Sequence, residues 1–150
     1  MTTVGEIMSS GLLSIDRSAP LTEAARRMSE RHVGAILVVE GEALRGILTE
    51  RDVLRAVGAG PVGRASVADW MTPDPETIEV SDSTGHAASL MIHGGFRHLP
   101  VYDGGRLAGI ISIRDLMSWA VEEYTGGHEL PDLERSSAAL SAAVELERPA

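Results

Sequence analysis

The chain repeats itself. Shifted by 63 positions, residues 4–54 align with 67–117 without a gap. Identical pairs are Val4/Val67, Met8/Met71, Ile15/Ile78, Ser18/Ser81, Ala24/Ala87, Ala25/Ala88 and Met28/Met91. They continue as Val38/Val101, Gly41/Gly104, Leu44/Leu107, Gly46/Gly109, Ile47/Ile110, Arg51/Arg114 and Asp52/Asp115. Chance supplies roughly three identities in such a window. Glu6/Asp69, Ser9/Thr72, Leu48/Ile111 and Thr49/Ser112 add conservative matches. Two units are too few for a solenoid, where each repeat covers the next. The pattern predicts two half-domains packed about a pseudo-twofold axis. With 150 residues the chain buries enough surface for this without disulfide or metal.

Each unit reads as β-α-β-β-α, an α+β fold. Leu21, Ala24, Ala25 and Met28 fall at helical spacing between Pro20 and His32, with Ser18 and Pro20 marking the start. The second copy runs from about Thr84 to His93 and stops at Gly94-Gly95. Strands are expected at Ala35–Val39 and His98–Tyr102, with hairpin turns at Glu40-Gly41-Glu42 and Asp103-Gly104-Gly105. The return strands are Leu44–Leu48 and Leu107–Ile111, and a second helix starts at Thr49 or Ser112. Short strands near Ser14-Ile15 and Thr77-Ile78 complete each unit. Repeat 1 is assigned to residues 1–57, a linker to 58–66, repeat 2 to 67–124 and an acidic tail to 125–150. The tail is read as flexible or partly helical, Ser136–Leu146 being the stretch that could form a helix.

Composition removes several functions. The chain has no cysteine, which excludes disulfides, thiolate chemistry and cysteine metal sites. A net charge of -9 repels nucleic-acid phosphates, and 3% aromatics offers few stacking platforms. No apolar run is long enough to span a membrane, and the first residues lack a secretory pattern, so a cytoplasmic location is expected. Every basic residue is Arg, which reads mostly as codon bias of a GC-rich genome. Gly58-Ala59-Gly60-Pro61-Val62-Gly63 spells a dinucleotide fingerprint, but it follows a helix and opens none, so it reads as linker. The five histidines have no ligand spacing, so no metal is expected. Without a nucleophile elbow or comparable context, no enzyme is expected and no catalytic residue is assigned.

The segments Thr49-Glu50-Arg51-Asp52 and Ser112-Ile113-Arg114-Asp115 carry the chemistry. In each, a hydroxyl residue at a strand-to-helix junction precedes a carboxylate by three positions. The helix start suits phosphate, the carboxylate can accept both hydroxyls of a ribose, and the Arg can pair with phosphate oxygens. The same spacing also makes a capping box. For one isolated copy capping is the plainer reading; two copies in a repeat favour a ligand, and both roles can hold together.

These motifs, with Gly34-Ala35-Ile36-Leu37-Val38-Val39 and Arg97-His98-Leu99-Pro100-Val101-Tyr102, resemble a tandem pair of CBS (cystathionine β-synthase) domains over residues 4–120. The resemblance implies a stand-alone regulatory module, often a homodimer, binding an adenosine nucleotide between its repeats and signalling to an unknown protein partner. Carried across, one cleft combines Gly11, Leu13, Val33, Gly34 and Ala35 with Arg97, Ser112, Arg114 and Asp115. The other combines Asp74, Glu76, Phe96, Arg97 and His98 with Gly34, Thr49, Arg51 and Asp52. Gly34-Ala35 is small enough for a flat base to lie on the strand. Asp74 and Glu76 add negative charge to the second cleft, so AMP, ADP or ATP should prefer the Asp115 cleft. The Asp52 cleft should be weaker, empty, or reserved for a less anionic ligand such as S-adenosylmethionine. A ligand-independent dimerisation module is the alternative. The apolar runs Val53-Leu54-Ala56-Val57 and Leu116-Met117-Trp119-Ala120 exceed what one small sheet covers, which points to a homodimer.

Overall fold

The computed structural model describes residues 1–126; the helix expected at Ser136–Leu146 lies outside them. In chain order the elements are α1 (Val4–Ile7), β1 (Ser14–Ile15), α2 (Leu21–Arg31), β2 (Ala35–Glu40), β3 (Ala43–Thr49), α3 (Glu50–Ala59) and α4 (Val67–Trp70). They continue with β4 (Thr72–Pro73), β5 (Ile78–Glu79), α5 (Thr84–Gly94), β6 (His98–Asp103), β7 (Arg106–Ser112) and α6 (Ile113–Thr125). Two compact units divide between Leu116 and Met117. The first holds both repeats' strands and every candidate ligand residue; the second begins within α6.

The α+β repeat is observed. In repeat 1, β1 pairs parallel with β2 and β2 pairs antiparallel with β3. In repeat 2, β5, β6 and β7 do the same. The registers match under the repeat shift: Ile15 faces Val38 as Ile78 faces Val101, and Ala35 faces Thr49 as His98 faces Ser112. Even the irregularity recurs, between Val38 and Val39 and between Val101 and Tyr102. The equivalent helices α2 and α5 each end in a left-handed residue, His32 in one and Gly95 in the other. Glycine is the ordinary choice there because it lacks the Cβ that opposes positive φ.

The alternation of β2 buries both of its faces. Ile36, Val38 and Leu48 pack under Leu21, Ala24 and Met28 of α2 and Ala56 of α3. Ala35, Leu37 and Ile47 point the other way and meet Leu107 and Ile110 of β7, forming a layer shared by the two repeats. Each large aliphatic side chain fully removed from water contributes about 1.5–3 kcal/mol.

The repeats exchange their first segments, which the contiguous reading of the sequence did not anticipate. Val4 of α1 packs in the repeat 2 core with Ile78, Met91, Leu99 and Val101, whereas Val67 of α4 packs in the repeat 1 core. Backbone bonds repeat the exchange. Val4 and Gly5 donate to Asp82 and Val80 carbonyls at 2.8 and 2.9 Å, while Val67 and Ala68 donate to Ala19 and Arg17 at 2.9 and 2.8 Å. Ser9 bridges Ile110 of β7, and its counterpart Thr72 pairs with Ile47 of β3. Such reciprocity is what a twofold relation generates.

The crossings explain two of the identical glycines. A Cβ on Gly46 would lie 2.7 Å from the Thr72 carbonyl oxygen, and one on Gly109 would lie 2.5 Å from that of Ser9. Only glycine lets the strands come this close.

Two sequence expectations need correction. The apolar stripes are narrower than supposed, because Ala56 and Leu116 belong to the cores and Val53 leans on one. Leu54, Val57 and Met117 remain outside, at 72%, 57% and 63% exposure. In addition, α3 continues to Ala59, two residues into the expected linker.

Candidate functional site

The two motif carboxylates sit where β3 and β7 hand over to α3 and α6, and both form capping boxes. The Thr49 amide and hydroxyl donate to Asp52 Oδ2 at 2.9 and 3.0 Å, and the Asp52 amide donates back to Thr49 Oγ1 at 3.4 Å. In repeat 2, the Ser112 amide and hydroxyl donate to Asp115 Oδ2 at 2.8 and 3.0 Å, with the Asp115 amide returning at 3.2 Å. The capping function therefore holds in both copies, satisfying amides that a helix start leaves unpaired.

The second carboxylate oxygens differ. Asp52 is buried, and Arg55 Nη1 stands 3.6 Å from its Oδ1. That guanidinium also lies over the Trp70 ring, 6.0 Å from its centroid. Asp115 is half-buried, and its Oδ1 has no hydrogen bond or ion pair among the described residues. Of the two, only the Asp115 carboxylate presents a spare acceptor beside a helix start.

Gly34, Glu50, His98 and Asp115 share one neighbourhood. A Cβ on Gly34 would fall 2.8 Å from Glu50 Oε1 and 3.3 Å from His98 Nε2. The room left by the missing side chain is thus taken by a carboxylate of α3 and an imidazole of β6, so the bare strand expected to receive a flat base is covered. Burial pushes the His98 imidazole below its ordinary value; Glu50 and Asp115 pull it upward, and Arg97 pushes it down again. The Gly34 and Arg97 carbonyls, equivalent by the repeat, accept from the first amides of α3 and α6, Glu50 at 3.0 Å and Ile113 at 2.8 Å.

The remaining candidates spread over the surrounding surface and interior. Gly11 is open and exposed. Leu13 leans on the first core, while its carbonyl accepts from Leu37 at 3.0 Å. Val33 is partly exposed. Ala35 is buried in the layer between the sheets, so its side chain offers a ligand nothing. Phe96 is half-buried and packs against the second core, with its ring folded across Gly94. Arg51, Arg97, Arg114, Asp74 and Glu76 are exposed. Asp74 closes the β3–β4 edge with a left-handed backbone, its amide donating to Arg45 at 3.3 Å. Glu50 was missed because its counterpart is Ile113. A carboxylate at the first position of a helix was the available signal. Among the described residues no cluster of three metal-type ligands occurs, and no helix is long and apolar enough to cross a membrane.

Two interlocked repeats, each with a capped carboxylate at its strand-to-helix junction, define a tandem-repeat module. The CBS domain family matches residues 4–59 and 67–122, and the chain belongs to that family. The CBS domain-containing protein YhcV of Bacillus subtilis is 31% identical over 134 residues, 89% of this chain and 96% of the relative. The mitochondrial CBS domain-containing protein CBSX3 of Arabidopsis thaliana is 34% identical, covering 82% of this chain and 66% of its own length. Among solved structures, a putative signal-transduction protein with CBS domains from Burkholderia ambifaria superposes with a TM-score of 0.76 at 33% identity. That match covers 86% of this chain and 98% of the other. CBSX2 in complex with AMP gives a TM-score of 0.71 at 26% identity, covering 83% and 99%.

Proposed function

We propose that this chain is a non-catalytic sensor in which AMP, ADP or ATP occupies the Asp115 cleft and the altered surface is read by a protein partner. The carrying observation is Oδ1 of Asp115, a carboxylate oxygen without a hydrogen bond or ion pair among the described residues while Oδ2 caps α6, which supports its use as an acceptor for a ribose diol. Exposed Arg97 and Arg114 supply cations for phosphate. The AMP complex of the similar CBSX2 supports the ligand class. In the Asp52 cleft, Asp74 and Glu76 disfavour phosphate and suit a less anionic ligand such as S-adenosylmethionine.

A second reading is a dimerisation module that needs no ligand, favoured by the exposed Leu54, Val57 and Met117. A thermal-shift screen with AMP, ADP, ATP and S-adenosylmethionine separates the two. A ligand at a hundred times its dissociation constant stabilises by about 2.7 kcal/mol, or roughly 5–10 °C for a domain of this size. No shift with any of the four leaves the dimerisation reading.

A further inference from the structure

We propose that Arg55, seated over Trp70, is the residue that closes the Asp52 cleft to a ribose and makes the two clefts unequal. This rests on the ribose-binding reading of Asp115 above. Asp52 and Asp115 share the Ser/Thr-x-Arg-Asp pattern and the same capping bonds through Oδ2, so they differ in what faces the second oxygen. At Asp52 a cover is visible. Arg55, one turn further along α3, places Nη1 3.6 Å from Oδ1, and the Asp52 side chain is left only 6% exposed. Trp70 keeps the guanidinium there, since its ring face attracts the cation at 6.0 Å.

The cover is absent from repeat 2 by sequence. The shift of 63 positions puts Ser118 opposite Arg55 and Ile7 opposite Trp70. Serine has no charge to bring to Asp115, and isoleucine has no π face to hold one. Trp70 also reaches repeat 1 only through the segment exchange, because it lies on α4, whose Val67 fills the first core. The latch therefore joins a residue of each repeat's sequence. A ribose entering the Asp52 cleft must displace Arg55 from both the carboxylate and the ring. The pair is partly exposed, so the penalty is modest, about tenfold in affinity.

Calorimetry with adenosine tests this, because a ligand without phosphate is indifferent to Asp74, Glu76, Arg97 and Arg114 as ion partners. Four proteins are compared: wild type, Asp115→Ala, Asp115→Ala with Arg55→Ser, and Asp52→Ala. Asp115→Asn replaces Asp115→Ala if circular dichroism shows that the alanine variant is unfolded. The expected result is binding to wild type, loss in the Asp115 variant, and recovery of about tenfold in affinity when Arg55→Ser is added. Loss without recovery overturns the role of Arg55 and leaves the nucleotide reading intact. Binding that survives Asp115→Ala but vanishes in Asp52→Ala overturns the cleft assignment and the latch together. No adenosine binding by any of the four also overturns the latch, and AMP binding to wild type then shows whether the nucleotide reading survives.

Discussion

Asp52 and Asp115 show how one residue type caps a helix with a single carboxylate oxygen. Each uses Oδ2 to satisfy the amide of the residue three positions earlier. The second oxygen is where the two residues part, one facing Arg55 and the other without a hydrogen bond or ion pair among the described residues. His98 adds a pH dependence at the same place. Its ordinary value is 6.5, and burial lowers it in the folded protein against the pull of Glu50 and Asp115, with Arg97 acting in the same sense as burial. A depressed folded value means that neutral His98 favours folding. That stability is present above pH 6.5 and is lost as pH falls through the folded value. Thermal unfolding of wild type should weaken between pH 7.5 and 5.5, and His98→Gln should flatten that fall. Parallel pH profiles for the two proteins contradict this account of His98.

At the level of elements, the exchange of α1 and α4 ties the repeats together through backbone. At Gly46 and Gly109 an added Cβ would meet the crossing segment at a carbonyl oxygen that no rotamer change can move aside. Overpacking of this kind costs about 1–3 kcal/mol, so Gly46→Ala and Gly109→Ala should each lower the urea midpoint with an unchanged slope. Midpoints equal to wild type contradict the crossing. The strands, the long helices and the motif caps were legible in the sequence because alternation, helical spacing and Ser/Thr-x-x-Asp are local signals. The exchange was not, since Val4 and Val67 look alike whichever core they enter. Ala35 and Phe96 were assigned to the ligand from their place in a pattern, whereas the pleat of β2 turns Ala35 into the sheet layer and Phe96 leans, half-buried, against the second core. Arg55 and Trp70 lie fifteen positions apart in different repeats, so no periodicity pointed to their meeting.

For the whole molecule, Leu54 and Val57 on α3 and Met117, Val121 and Tyr124 on α6 are large apolar side chains left exposed on the second helices. If these helices pair two copies of the chain, light scattering at tens of micromolar gives a dimer, and Leu54→Glu with Val57→Glu gives a monomer. A wild-type monomer under those conditions overturns the homodimer. The central claim is that a nucleotide is held through the ribose by Asp115 in preference to Asp52. Titration calorimetry with AMP on wild type, Asp115→Ala and Asp52→Ala tests it most directly. Removing a charged acceptor of two ribose hydrogen bonds should weaken binding roughly a hundredfold. The account predicts that loss in Asp115→Ala and near-wild-type affinity in Asp52→Ala; the reverse pattern contradicts it.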